Sequence, residues 1–541
     1  MQKISLLRKL RCNIKRRHAN SRTSVAPVLC KLVGILYNYP YRDNIEYMFV
    51  LSKTDYLIYR ECSKNAWLKI HCPDVYKKAE LSEFDKAIIE TGNEVEKYAR
   101  ELFPGGVMIE GRDSQAQTLT LKYIVDKTPV IFQPVFLKDG FLAAVDILKF
   151  DSGTKGYFLY EVKSSNEVKE DTHLNDVAFQ CVLLEKMGVP VRKAHIIHLN
   201  SEYVRAGALD VVKLFEIEDV TDAICPILPH TETEMEIAKQ YVSQTKEPSG
   251  HCDCIYKGRS RHCTTFQYSN PDVPEYGVHD IVRIGSSKTK LAELADSGIF
   301  RLEDLPDDIE LTAIQQNQVD AHIRDRVLIQ NEKISDELKK MVFPLYFLDY
   351  ETCPAAIPRF DGFSPYQQIP FQYSLHILDD ANGKPRHEEF LSTTRGDPSA
   401  ALCASLQEHV GNVGSIVVWS KTFECTINKE LGERIPAAKA FLDSLNDRVY
   451  DLMDVFSKQY YVNKGFKGGT SIKDVLPAIT EVSYDDLAIK EGGTASQSWD
   501  KITSYEIGQT EKEKIAHDLK LYCERDTFAM YVIWRHLTDL I

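Results

Sequence analysis

The sequence of 541 residues predicts an α/β protein of several domains. Three observations carry that expectation. At roughly 100–200 residues per domain, the length allows about three domains. Strand-like stretches recur among helical ones, with Phe141-Leu-Ala-Ala-Val-Asp-Ile-Leu148, Tyr157–Lys163, Leu345–Glu351 and Ser415–Trp419 read as strands, and Asp176–Lys186 and the chain's last segment as helices. Finally, residues 245–270 are rich in Cys, His, Gly, Ser and Tyr and poor in aliphatic residues, so something other than an apolar core must organise them.

Composition narrows the class. Hydrophobic residues make up 43% and charged residues 27%, a globular balance. No apolar run approaches the ~20 residues of a bilayer span, so a soluble, cytoplasmic protein without a membrane partner is expected. The net charge of −13 weighs against a basic nucleic-acid coat protein, but not against an enzyme whose carboxylates hold cations. Residues 1–47 form a basic N-terminal extension, in which residues 1–42 carry ten Lys or Arg and no Asp or Glu. Three readings stay open for it: a start assigned too far upstream of Met48, a flexible arm that touches phosphate, or a targeting segment.

The remainder divides into 48–270, 271–341 and 342–541. In the first part, an acid (Asp146) stands at the end of one strand. Glu161 and Lys163 share a face of the next, after the turn-rich Asp151-Ser-Gly-Thr-Lys-Gly156. Carboxylates that hold divalent cations, beside a lysine that orients or deprotonates water, are what phosphodiester hydrolysis requires. Alone, Glu-x-Lys on a strand is most often a surface ion pair. Here it comes with Gly92-Asn-Glu-Val-Glu96, Asp176-Val-Ala-Phe-Gln180, Ser52-Lys-Thr-Asp-Tyr-Leu and Cys62-Ser-Lys-Asn-Ala-Trp67.

This set resembles the PD-(D/E)XK nuclease superfamily, in its RecB-like branch, and opens like the iron–sulfur nucleases of CRISPR spacer acquisition. The resemblance implies a restriction-endonuclease-like core over about 200 residues. Glu96, Asp146 and Glu161 would bind Mg²⁺ or Mn²⁺, with Lys163 on the attacking water and Gln180 contacting substrate or lysine. Glu96 stands where that branch usually has histidine, which leaves the preferred metal open.

Cys252, Cys254 and Cys263 follow this unit, and Cys62 precedes it. One early and three late cysteines resemble the ligand order of the same iron–sulfur nucleases, which implies a [4Fe–4S] cluster. With one residue and then eight between the late cysteines, the spacing departs from the usual pattern. Because His251 and His262 are neighbours, a Zn²⁺ site of mixed ligands is the alternative, and free loop thiols are the plain reading.

Residues 275–335 look all-helical, and Val278–Gly285 followed by Lys290–Ile299 resembles a helix-hairpin-helix module for DNA backbone, with a plain helical linker equally open. In the last part, Leu345, Phe347, Asp349 and Glu351 share a strand face. Glu424 follows the strand Ser415–Trp419, and Asp518, Tyr522 and Asp526 recur every four residues on the last helix. This order resembles the DEDD (DnaQ-like) exonucleases of ribonuclease H-like fold. The resemblance implies two metals held by Asp349, Glu351, Glu424 and Asp526, with Tyr522 on the water. It also matches Thr470-Ser-Ile-Lys473 to a recurrent supporting stretch. Glu424 stands where the family has aspartate.

The whole order resembles a family of bacterial and archaeal nucleases. It implies a nuclease with two active sites, the second 3′–5′ exonucleolytic, acting on DNA more than RNA, with protein partners in a repair or defence complex. The competing expectation is a nucleic-acid-binding adaptor with one or both sites inactive.

Overall fold

Strand β1 (Leu51–Ser52) runs directly into helix α1 (Lys53–Glu61). The Ser52 hydroxyl accepts from the Asp55 N–H at 3.1 Å, and the Asp55 carboxylate accepts in return from the Ser52 N–H. This reciprocal cap fixes Lys53 in the helix's first turn. The computed structural model describes residues 49–77, 83–503 and 507–541, so the basic extension 1–47 lies outside the described residues.

Helices α2 (Ser63–His71) and α3 (Glu83–Arg100) follow. Then come β2 (Val107–Met108), β3 (Val130–Phe132), β4 (Val135–Lys138), β5 (Phe141–Ala144), β6 (Ile147–Asp151), β7 (Gly156–Val162), helix α4 (Asn175–Lys186), β8 (Val191–Leu199), β9 (Phe215–Asp219) and helix α5 (Leu228–Val242). Two sheets result, a small one of order β1-β5-β4 and a mixed one of order β2-β3-β6-β7-β8-β9.

The stretch Phe141–Leu148, expected as one strand, is therefore two. β5 pairs with β4 and β6 pairs with β7, while Val145 and Asp146 make the step between the sheets. The Val145 N–H donates to the Pro134 carbonyl at 3.1 Å, and the Asp146 carbonyl accepts from the Gln133 N–H at 3.0 Å. Period-2 alternation shows which residues face inward, but not which sheet they join. Helix α4 is buried from Asp176 to Leu184, and its apolar residues pack into the core with Leu148, Leu159 and Met235.

In the middle part, Val278–Asp280 and Ile284–Ser286 are single 3-10 turns in place of the expected first helix. Val278, Ile281 and Ile284 enter one core at three-residue spacing, which suits 3-10 turns. Helices α6 (Lys288–Asp296), α7 (Ala313–Ile323) and α8 (Asn331–Leu338) follow. Between α7 and α8, β10 (Leu328–Ile329) pairs antiparallel with Tyr461–Val462, so this part is not all-helical and is tied to the last unit.

The last unit contains β11 (Leu345–Pro354), β12 (Gln368–Leu378), β13 (Arg386–Leu391), α9 (Ser399–His409), β14 (Ser415–Val418), α10 (Lys421–Arg434), α11 (Lys439–Asn446), β15 (Val449–Asp451), β16 (Tyr461–Val462), α12 (Ile472–Ile479), α13 (Gly492–Ile502) and α14 (Gln509–Asp539). Five strands make a mixed sheet of order β13-β12-β11-β14-β15. β12 is antiparallel to both β11 and β13, whereas β11, β14 and β15 are mutually parallel. Alternation along β11 feeds two cores. Leu345 and Phe347 pack with Leu519, Met530 and Ile533 of α14, while Tyr346, Leu348 and Tyr350 pack with Leu406, Ile427 and Leu442 of α9, α10 and α11. By the same alternation, Asp349 and Glu351 face α14.

The loop after β11 seats on the first unit. Ala356 and Ile357 share a core with Phe103, Tyr160, Ile197 and Phe215. Arg205 donates through Nη1 to the Pro358 carbonyl at 2.8 Å and the Arg359 carbonyl at 2.9 Å, and Tyr366 donates to the Ser164 carbonyl. Among the described residues, no helix is long and apolar enough to cross a membrane.

Trp499 of α13 tests the last unit's packing. Fully buried, it stacks on Phe371 at 4.8 Å and donates its indole N–H to the Ser392 carbonyl at 2.9 Å. Trp499→Ala should destabilise this unit by about 3–5 kcal/mol in denaturant titration. Trp499→Phe, which keeps a ring, should lose about 1–3 kcal/mol, chiefly through the unpaired carbonyl.

Candidate functional sites

The first site forms where the step at Asp146 meets the end of β7 and the buried helix α4. The Val162 N–H donates to Asp146 Oδ2 at 2.8 Å, which draws the carboxylate against the strand that carries Glu161. Gln133 then donates to both Asp146 Oδ1 (3.1 Å) and Glu96 Oε1 (2.7 Å), bridging the sheet to α3. Gln133 has φ +53°, a left-handed backbone that a non-glycine residue rarely adopts. Glu161, almost fully buried, accepts from Lys163 (2.8 Å), Lys53 (2.9 Å) and Gln180 (2.6 Å). Asp176, one turn before Gln180, accepts from Gln180 (2.9 Å), pairs with Lys53 (2.8 Å) and is bonded by Lys163.

All five residues expected here (Glu96, Asp146, Glu161, Lys163 and Gln180) meet in this network. Three of its members have no role in the sequence reading: Lys53, Asp176 and Gln133. Lys53 and Asp176 stand inside the quoted motifs. Two polar residues four apart within the otherwise apolar stretch 176–184 were the signal for Asp176, because a buried polar pair needs a partner.

The charges here offset one another. Burial opposes ionisation of Glu161, yet Lys163 and Lys53 outweigh it and hold the carboxyl below its usual range. Burial likewise opposes the charge on Lys163, and Glu161 and Asp176 outweigh it, so the ammonium is kept protonated. A protonated lysine orients water; it does not take its proton. Asp146, by contrast, is pushed up to about 8 by burial and by the Glu161 and Glu96 charges, against the pull of Lys53.

The second site lies between β11 and α14. Asp349, Glu351 and Cys523 each bring one ligand atom within 4.8 Å of the others. Tyr484 donates to Asp526 Oδ1 at 2.5 Å. Lys473 donates to Tyr522 Oη at 3.2 Å and lies over the Tyr522 and Tyr484 rings. Burial raises Asp349 and Glu351 well above the carboxylate range, and the Asp526 charge adds to both. Asp526 itself is pushed up to about 6 by burial, against the hydrogen bond from Tyr484 and the Lys473 charge. Glu424, in the first turn of α10, acts on Asp349 through its charge. Its Oε2 is buried without a hydrogen-bond partner, and burial pushes the carboxyl up to about 8. The expected Asp349, Glu351, Tyr522 and Asp526 thus converge, and Glu424 joins them electrostatically. Tyr484 and Cys523 were not foreseen. Asp518, on the same helix, has no part in these contacts.

Cys62, Cys252, Cys254 and Cys263 do come together, with all four Sγ atoms within 4.8 Å of one another. Cys252 and Cys263 are 3.9 Å apart, and the described cysteines are all free thiols. Neither flanking histidine joins them. His251 meets Asp272 at 3.0 Å, and His262 meets the Lys257 carbonyl at 2.9 Å. The mixed Cys and His set is therefore not formed. The expected [4Fe–4S] cluster does not fit these distances either. Each of its thiolates binds a different iron, so the four stand much further apart than thiolates that share one ion.

Residues 346–471 match the model of a domain of unknown function, DUF2779. That stretch contains Asp349, Glu351 and Glu424 and ends before Lys473. The chain is similar to an uncharacterized protein of Ureaplasma parvum serovar 3, at 24% identity over 49% of this chain and 41% of the relative. It is also similar to an uncharacterized protein of Mycoplasma pneumoniae, at 27% identity over 36% of this chain and 32% of the relative. The match thus spans less than half the length of these curated relatives.

Glu424 supplies a pH test. Its folded-state pKa of about 8 lies above its ordinary 4.5. Its contribution to stability is therefore full below the ordinary value and lost as pH rises through about 8. Without divalent metal, Glu424→Gln should raise the Tm by several degrees at pH 8 and have little effect near pH 4.5. Equal Tm changes at both pH values would contradict this assignment.

Proposed function

We propose that this chain is a metal-dependent nuclease that hydrolyses phosphodiester bonds of nucleic acid, DNA rather than RNA, through two active sites. The second is a 3′–5′ exonuclease, and the pathway is repair, DNA processing or defence against phage, with partner proteins of such a complex. The observation that carries the reading is the second carboxylate set. Glu351, Asp526 and Glu424 are buried near the half-buried Asp349, and Lys473, the cation that acts on two of them, is bonded to Tyr522. Like charges held together in this way are stable with divalent cations between them. The order β13-β12-β11-β14-β15 also supports the ribonuclease H-like reading, and the two sheets around Asp146 support the restriction-endonuclease-like one.

Asp349, Glu351, Asp526 and Glu424 would hold Mg²⁺ or Mn²⁺, which when bound offsets the charge on phosphorus and makes water a better nucleophile. Tyr522 accepts from Lys473 and hydrogen-bonds the Asp526 carboxyl, which puts its hydroxyl beside the acids, where it would orient a water or a phosphate oxygen. Tyr484 holds Asp526 in place through its hydroxyl. At the first site, Glu96, Asp146 and Glu161 would bind the metal, Gln133 would align the first two, and Lys163 would donate to the attacking water or to phosphate.

One observation favours a second reading for the first site. Lys53, Lys163 and Gln180 already satisfy Glu161 and Asp176. In that reading the site binds nucleic acid without cutting it, as in an adaptor.

Lys163→Ala and Asp349→Ala, singly and together, distinguish these readings on end-labelled single- and double-stranded DNA and RNA. Two active sites predict a partial loss in each single variant and at least 10²-fold in the double variant, the scale of losing the metal and the water-orienting group. Loss in Asp349→Ala alone assigns binding to the first site. Full activity in the double variant ends the nuclease proposal.

A further inference from the structure

We propose that Cys62, Cys252, Cys254 and Cys263 bind a single zinc ion in an all-thiolate structural site, in place of an iron–sulfur cluster. The argument rests on thiol geometry alone and is independent of the nuclease reading. Four thiolates in a tetrahedron at a Zn–S distance of ~2.3 Å stand about 3.8 Å apart. The Cys252 and Cys263 sulfurs are 3.9 Å apart, and no pair among the four exceeds 4.8 Å. That space admits one ion. A cubane would push every thiolate outward from the centre by the radius of its iron tetrahedron in addition to one metal–sulfur bond.

The surroundings suit bound thiolates. Asn270 donates through Nδ2 to the Cys252 sulfur at 3.2 Å, and its Oδ1 accepts from the Cys252 N–H at 3.1 Å. An N–H directed at a ligating sulfur disperses its charge and holds its orientation. Cys62, Cys252 and Cys254 are buried, and both nearby histidines are engaged elsewhere. With four protein ligands, no position is open for water, so the site is structural.

Its place in the chain explains the need for it. Cys62 lies between α1 and α2, and the other three lie beyond α5. Hydrogen bonds already join the same two segments, from Ser63 to Asp253 at 2.7 Å and from Lys64 to the Gly250 carbonyl at 2.8 Å. The cysteines sit in a small core with Ile255, Phe266, Val273 and Phe300, so a metal clip would reinforce a closure that this limited apolar surface begins.

The test is metal analysis of the full chain, purified anaerobically without chelators from cells supplied with both iron and zinc. The expected result is one zinc per chain, no acid-labile sulfide and no visible absorption. X-ray absorption at the zinc edge should then show four sulfur neighbours at ~2.3 Å. Cys254→Ser should lower the zinc content and the Tm together, and a zinc chelator should lower the Tm of the unmodified chain. Four irons with equal sulfide, a single iron, or no stoichiometric metal would each overturn the proposal. If Cys254→Ser does not fold, the metal content and absorption edge of the unmodified chain still decide it.

Discussion

A carboxylate removed from water must be met by a cation, a proton or several hydrogen bonds, and this constraint organises the protein. Two regions gather buried acids. Around Glu161 and Asp176 the fold supplies its own answer, with Lys53 from the first helix turn and Lys163 from the strand end as counter-charges. Around Asp349, Glu351 and Asp526 it supplies tyrosines, a thiol and the Lys473 charge on two of the acids, which is too little to offset the set, so Asp349 and Glu351 stay well above the carboxylate range. Similar donors thus stand in opposite electrostatic states. In the first region folding keeps Glu161 ionised, whereas in the second protons compete with any cation that arrives from solution.

The scaffold beneath each region follows from the same constraint. Helix α4 is apolar through its buried length apart from Asp176 and Gln180, which sit one turn apart so that both reach Glu161. Strand β11 places Asp349 and Glu351 on the face toward α14, while Tyr350 turns to the other side and donates to Asn428 at 2.8 Å. One long helix then carries Tyr522, Cys523 and Asp526 to the acids.

Much of this was legible in the residues. The Glu-x-Lys triplet, Gln180, Asp349-x-Glu351 and Tyr522-x-x-x-Asp526 are local patterns, and each lies where its pattern points. Gln133 was not legible, because its role depends on a left-handed turn that brings one amide to two carboxylates from different elements. The break at Asp146 was hidden for a related reason, since alternation specifies faces and not sheet membership. The helix expected at Val278–Gly285 failed because three-residue apolar spacing fits two short turns as well as one helix. The cysteine grouping was legible through the resemblance to the iron–sulfur nucleases. The separation of their sulfurs was not, because sequence spacing carries no information about sulfur–sulfur distance.

The loop after β11 has a consequence for how such chains are inherited. Ala356 and Ile357 complete the core of the neighbouring unit, and Tyr366 reaches the carbonyl beside Lys163. A gene fragment that begins near Tyr346, where the matched domain starts, carries this plug without its socket; the upstream fragment keeps the socket empty. Either piece alone exposes contiguous apolar surface, the kind that drives aggregation. Separating the halves therefore uncovers side chains that each half otherwise shields from water. The boundary that physics draws runs around the pair, not between its members.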